Sequence, residues 1–445
     1  MTETCDRPFL GCLPDELLLN MLSHFHVIRS FETQSEAFKL KEEEKQRQRE
    51  NWGRQKALRS ICLTSKRLRS IAEPILYSAY IGTCTRNGLE PLRLFLRSVQ
   101  EVPALGRCVQ YIENRLGDYK GNSLYNDTET SGAPEMVKEY LLKLATVVNA
   151  SPNVVHLSLV SIEAGSNSLW EDLLFDKQSP AKISSHGLRK LETLYFQMHT
   201  GAWSLQEERG LFQRISHALA NVPKLHSLCA DGPVSAGILS KPEGQYELLE
   251  TLRLSNCVLD FDELLELTLM CKKLKHFSCH WAFLNAASLD LVELRRILFQ
   301  HNRTLEHFHL DAREVRTVSI FLSDNHQPLG SFKHFECLKV LEVDEESFLA
   351  TVNSLLDFPD IYLRQHRISQ LLPVTLEAFT LLMSGSRPHN GGGMLDEVPE
   401  LWDLADDCPT RLPNLKIIVM QSNYPLSAPR LTPKFERAGI KLELR

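Results

Sequence analysis

The sequence predicts a mixed α/β chain of the α+β kind: a short helical unit at the N-terminus, then an irregular array of strand-plus-helix repeats stacked into a solenoid. Two observations carry this. The stretches LPDELLLNMLSHF at 13–25 and ALRSICLTSKRLRSIAEPILY at 57–77 place apolar residues at helical spacing. Downstream, one pattern recurs through most of the remaining chain: an apolar residue, two free positions, an apolar residue, one free position, an apolar residue.

In the first helix the spacing puts Pro14 at the opening helical position, where its missing N–H costs nothing, and gathers Leu13, Leu17, Leu18, Met21, Leu22 and Phe25 on one side. A short helix cannot leave that side in water. The second stretch carries Leu58, Ile61 and Leu63, then Thr64 and Ser65 as candidate caps, then Leu68, Ile71, Ala72, Ile75 and Leu76 until Pro74 kinks or ends the helix. Periodicity alone fits either an ordinary helical hairpin in the core or a unit needing an outside surface. Between the halves, residues 26–56 include a run, Lys41 to Glu50, that is polar on every face. With Glu42/Gln46, Glu43/Arg47 and Lys45/Arg49 at helical spacing, it reads as a solvated helix or a disordered spacer.

Leu13-Pro14-Asp15-Glu16-Leu17, Leu63-Thr64-Ser65-Lys66-Arg67-Leu68 and Ile71-Ala72-Glu73-Pro74-Ile75-Leu76-Tyr77 resemble the two halves of an F-box, in the form common in fungal proteins. The resemblance covers an F-box-like domain at 8–80, with the charged insert 26–56 where the family has a short turn. It implies a three-helix unit that docks on the Skp adaptor of an SCF (Skp, cullin, F-box) ubiquitin ligase. The anchors would be Leu13, Pro14, Leu17, Leu18, Met21 and Leu22, helped by Leu58, Ile61, Leu63 and Leu68.

The repeated pattern falls at Val154-Leu157-Leu159, Leu191-Leu194-Phe196, Leu225-Leu228-Ala230, Leu249-Leu252-Leu254, Leu274-Phe277-Cys279, Leu305-Phe308-Leu310, Leu338-Leu341-Val343, Leu376-Phe379-Leu381 and Leu415-Ile418-Met420, with a weaker copy at Val109 and Ile112. It resembles leucine-rich repeats, each supplying one short parallel strand. Residues 81–445 then form an irregular, substrate-binding solenoid, since starts lie about 24 to 45 residues apart where well-formed repeats keep 20 to 29. Helices are expected at Glu135 to Ala150 and Ala286 to Gln300, and after the capping-box pairs Ser204/Glu207 and Asp260/Glu263. The alternative is a doubly wound sheet, which also alternates strand with helix but here lacks a glycine fingerprint.

In each strand the two positions around the middle apolar residue point away from the core. That assigns His156, Tyr195, Arg253, His276, His307, His309 and Glu342 to a concave face suited to a protein or peptide ligand. Equivalent positions of stacked strands lie about 5 Å apart, which brings His276 close to His307. Cys279 turns inward while His276 faces out, so Cys271, His276, Cys279 and His280 do not make one metal site.

The formal charge of −6 with no basic tract argues against a nucleic-acid partner. Eleven cysteines without a Cys-x-x-Cys pair, and no signal-peptide pattern at the start, predict reduced thiols in cytosol or nucleus. No stretch is apolar enough to span a bilayer. Nucleophile elbow, zinc-helix and phosphate-loop motifs are missing, and Gly391-Gly392-Gly393 has no lysine, so no catalysis, cofactor or metal is expected. The expectation is a substrate-recognition subunit that binds the Skp adaptor directly, cullin indirectly, and a protein target on the repeats. A repeat scaffold that holds the adaptor without recruiting cullin is the alternative.

Overall fold

In a computed structural model of the protein, which describes residues 13–30, 41–124, 133–161, 169–176, 179–183, 188–198, 210–234, 244–282, 291–314, 329–349, 367–383 and 393–445, the Leu-Pro segment becomes helix α1, Asp15–Ser23. Pro14 is one position earlier than its spacing predicts. It stands before the first turn, and its carbonyl accepts from Leu18 N at 3.1 Å. The second stretch divides into α2, Glu42–Cys62, and α3, Lys66–Leu76. Ser65 caps α3 as expected, its Oγ accepting from Leu68 N at 3.1 Å. Pro74 does not end α3. It falls in the last turn, and the helix carries on to Leu76. Leu22, Leu58, Ala72 and Ile75 form the core between these helices, with Phe25, Ile61 and Ile71 packed on it.

The charged insert departs most from expectation. Its described part is the first half of α2, continuous with the apolar half, and one side of it is buried. Asn51, almost wholly enclosed, accepts from Ile28 N at 2.7 Å and donates to Ile28 O at 2.9 Å. Arg47 reaches across to Glu113 with two donors, one to Oε2 at 3.0 Å, while also pairing with Glu44 at 2.7 Å. Glu113 has no exposure at all, and it also accepts from Arg115 Nε at 3.0 Å and from Tyr111 Oη at 2.5 Å. Burial pushes the Glu113 carboxyl up, but the guanidiniums of Arg115 and Arg47 outweigh it and hold it below the usual carboxylate range. The charges are solvated by one another, not by water.

The chain divides into two compact units, Met1–Glu208 with Val222–Leu225, and Arg209–Asn221 with His226–Arg445. The first holds the helices above and four parallel strands in chain order: β1 (Ala79–Thr83), β2 (Tyr111–Arg115), β3 (His156–Ser161) and β4 (Thr193–Met198). Helices α4 (Arg86–Glu101) and α5 (Ala133–Asn149) pack side by side, and Arg93 meets Glu139 at 2.7 Å. Thr85 caps α4 through Gly88 N at 3.0 Å.

Among its described residues, the main sheet of the second unit has eight parallel strands, again in chain order: β5 (Ser227–Asp231), β6 (Thr251–Cys257), β7 (His276–Trp281), β8 (His307–Asp311), β9 (Val340–Asp344), β10 (Ala378–Leu382), β11 (Ile417–Gln421) and β12 (Lys441–Leu444). Helix α6 (Leu211–Leu219) precedes β5, and α7 (Phe261–Leu269), α8 (Leu291–Leu298), α9 (Pro399–Arg411) and α10 (Leu431–Arg437) return between strands. In neither unit does the order reverse, which excludes a doubly wound sheet with its switch point.

All three apolar positions of every sequence copy are buried, and partners match: Leu252, Phe277, Phe308, Leu341, Phe379 and Ile418 lie in one row. Phe277 stacks on Phe308 with ring centres 5.6 Å apart, and Phe308, Phe332, Phe348 and Phe379 continue the chain of rings. Strands β1 and β12 escaped the pattern for a local reason. Register with β2 puts Gly82 where an apolar side chain is expected, because a Cβ there would collide with the hydroxyls of Tyr80 and Tyr140. Carrying the register with β11 two residues back likewise puts Gly439, with φ +78°, ahead of β12 where the first apolar residue of the pattern would fall.

Asp260 stands before α7 as expected but makes no side-chain cap hydrogen bond, α5 covers the expected 135–150 except Ala150, and α8 with the 3-10 turn Phe299–His301 covers 291–300 of the expected 286–300, residues 286–290 lying outside the described residues. Ser204/Glu207 and most of the glycine run lie outside the described residues. Trp402 is on α9 and donates to Asp396 O at 2.9 Å. Replacing Glu113 by Gln strands two buried guanidiniums, and the expected loss is about 3–5 kcal/mol in urea unfolding. A wild-type midpoint would mean the network contributes nothing. Because the folded carboxyl sits below its ordinary value, its contribution is full above about pH 5 and disappears as acid protonates it.

Candidate functional site

Within the first unit, the expected anchors separate into two groups. Leu18, Leu22 and Leu58 are buried and cannot themselves touch an outside protein, while Ile61 is half-buried against the core that Leu22 and Leu58 form with Ala72 and Ile75. The reason is helical geometry: Leu18 and Leu22, one turn apart, share the buried face of α1, while Leu17 and Met21, one turn apart on the flank, do not. Leu17 is 50% exposed, Met21 46% and Leu63 88%. Pro14 is exposed as well, and Leu13 and Leu68 are half-buried. Arg67, in the first turn of α3, donates to Leu13 O at 2.5 Å and pairs with Asp15 at 2.6 Å, so the starts of α1 and α3 meet. Leu19, 52% exposed and absent from the sequence-based set, adds to the apolar surface of α1. Each half-exposed leucine forgoes on the order of 1 kcal/mol of burial.

Also in the first unit, one residue assigned to an open strand face, Tyr195, is not open. Tyr195 is 1% exposed, with the Arg115 guanidinium 5.9 Å from its ring centre. His156 is half-buried, and burial with nearby Arg29 lowers its affinity for a proton. Sequence alternation put both on the correct face of the strand. On that same face, however, Arg47 and Ser30 meet Glu113 and Tyr111, which alternation cannot reveal.

In the second unit the assigned face is accessible. Arg253 and His307 are exposed, and His276, His309 and Glu342 are half-buried. Register places Thr251, His276, His307, Val340, Ala378, Ile417 and Lys441 in one row, and Arg253, Ser278, His309, Glu342, Thr380, Val419 and Glu443 in the next. The His276 and His307 rings are 4.5 Å apart, close to the strand spacing. Burial and the neighbouring His307 hold His276 below its ordinary pKa, so the pair resists double protonation. His309 Nδ1 lies 3.1 Å from Glu342 Oε2, and that hydrogen bond holds the Glu342 carboxyl below the carboxylate range. Among the described residues, no group of three or more His, Cys, Asp or Glu side chains is arranged to hold a metal ion.

Two features of this unit escaped sequence reading. At the residue preceding each strand, Glu250, Lys275, Glu306, Lys339, Glu377 and Lys416 alternate in sign across six consecutive strands. Lys275–Glu250, Lys339–Glu306 and Lys416–Glu377 pair at 2.9, 2.6 and 2.5 Å. The signal was present at the second position of each repeat copy, but only register turns it into contacts. At the opposite strand ends, β6 bulges and puts Asn256 at φ 48°, from where it donates to Asp231 at 2.7 Å. Asp231 is 2% exposed, and burial pushes its carboxyl up to about 6.

Compared with known proteins, the chain matches no family model and no curated sequence. Among the described residues no helix is long and apolar enough to cross a membrane.

Lys339→Glu puts three carboxylates side by side, and its thermal unfolding midpoint should drop, more at low than at high salt. Adding Glu306→Lys should recover part of the drop, and an unchanged midpoint in the single variant would show the ladder to be inert. For Asp231, a folded value above the ordinary one means that the folded chain binds the proton more tightly, so stability falls as pH rises from about 4 to 6. Asp231→Asn should therefore be more stable than wild type at pH 8, by on the order of 2 kcal/mol, with the gap closing toward pH 4. Urea titration at both pH values checks it.

Proposed function

We propose that the chain is a non-catalytic substrate receptor, in which an F-box-like helical unit docks on the Skp-type adaptor of an SCF ubiquitin ligase and a leucine-rich-repeat-like solenoid holds the target protein. The observation that carries this reading is the exposure of Leu17 and Met21 on α1 and of Leu63 just after α2, in the segments whose residues resemble the F-box. Chain-ordered parallel strands with a shared apolar triad support the repeat part, and two neighbouring rows, one with His276 and His307 and one with Arg253, His309 and Glu342, supply mixed polar and imidazole groups for a protein ligand. The insert weighs on the reading less than its length suggests. Its described residues, 26–30 and 41–56, are joined to each other by Asn51 at Ile28 and to β2 by Arg47 at Glu113, and they leave Leu17 and Met21 uncovered.

Leu17→Ala with Met21→Ala removes the two exposed anchors without touching the core. Purified full-length chain should lose about thirtyfold or more in affinity for a purified Skp-type adaptor, measured by calorimetry, with its urea midpoint unchanged. Equal binding by the double variant, or no binding by wild type, overturns the assignment. Recovery of cullin with the adaptor separates a ligase receptor from a scaffold that holds the adaptor alone.

A further inference from the structure

Helix α2 carries an outward stripe that neither its core nor the adaptor reading uses. Lys45, Arg49, Trp52, Lys56 and Arg59 follow one another at steps of four and three residues, the spacing of a single helix edge. Gln48, Asn51 and Leu58 are the buried residues of α2, and Glu44 and Arg47 reach Glu113's network on that side. Trp52 is 61% exposed, an unusual position for the largest apolar side chain. The Lys56 ammonium stands 5.1 Å from its ring centre, and Arg49 lies 5.4 Å from the ring of Tyr119. Lys45 pairs with Glu42 at 3.1 Å, and Arg49 with the same carboxylate at 3.8 Å. Lys56 and Arg59 have no acidic partner among the described residues.

We propose that this edge of α2 docks an acidic segment of a partner protein, with an apolar side chain of that segment on Trp52. Trp52 lies between two cation pairs, Lys45/Arg49 and Lys56/Arg59, whose midpoints are about 16 Å apart along the helix. The matching segment carries two clusters of carboxylates about three turns apart and an aliphatic residue midway. A long polyanion or an anionic bilayer fits less well, because Glu42, Glu43 and Glu50 are exposed on the same helix and would repel it. Burial of Trp52 supplies apolar contact, while the cations set direction and register.

The test uses the full-length chain and a synthetic helix-forming peptide with two glutamate pairs about three turns apart and a leucine midway. Fluorescence anisotropy should show saturable binding that weakens with salt. Trp52→Ala should cost about tenfold in affinity, Lys56→Glu with Arg59→Glu should abolish binding, and a peptide with glycine for the leucine should bind more weakly. These side chains stand in water, so the variants should keep the wild-type circular dichroism and urea midpoint. Absence of saturable binding, indifference to both variants, or tighter binding of single-stranded DNA or of phosphatidylserine vesicles through the same residues overturns the proposal. Leu17→Ala with Met21→Ala should leave peptide affinity unchanged, which keeps this result apart from that for the adaptor.

Discussion

In-register stacking of parallel strands is the constraint from which most of the second unit follows. When Leu252, Phe277, Phe308, Leu341, Phe379 and Ile418 share a row, everything one step away shares a row too. The apolar rows become a continuous core that no single strand-plus-helix unit could bury alone. The intervening rows become a polar face on which His276 meets His307 and His309 meets Glu342. The row preceding the strands becomes a ladder of alternating Glu and Lys, where a shift of one strand by one repeat would set like charges together. Core, recognition face and charge ladder are three readings of one register.

The first unit is governed by a different requirement, a carboxylate with no water. Glu113 sits on the strand face where the repeats would otherwise be open, and its charge is sustained by Arg47 from α2 and Arg115 from its own strand. Such a group is tolerated because both guanidiniums and the Tyr111 hydroxyl are present together. The consequence is directional. It fastens one side of α2 to the strands, leaves the opposite edge with Trp52, Lys56 and Arg59 in water, and fills the face around Tyr195 that would otherwise resemble its counterpart in the second unit.

The helical unit shows how division of labour arises within one apolar run. Leu17, Leu18, Leu19, Met21 and Leu22 are nearly interchangeable as hydrophobic residues, yet Leu18 and Leu22 complete the core while Leu17, Leu19 and Met21 keep about half of their surface in water. A surface of that kind is costly to leave unpartnered, and it is the surface that the proposed adaptor contact at α1 would cover.

Period and spacing in the sequence determined the strands, their shared apolar triad, the alternation that set His276 outward and Cys279 inward, and the existence of helices at 13–25 and 57–77, because those depend on local stereochemistry repeated along the chain. The strands β1 and β12 were hidden where Gly82 and Gly439 replace an apolar residue for reasons of space or φ that only neighbours impose. Tertiary structure alone decided which leucines of α1 face inward, that the charged insert is a helix docked through Arg47, and that Tyr195 is covered while His307 is not. Those outcomes turn on partners far away in sequence, Arg47 and Glu113 being the plainest case, and a pattern of hydrophobicity carries no record of which distant charge will arrive to neutralise another.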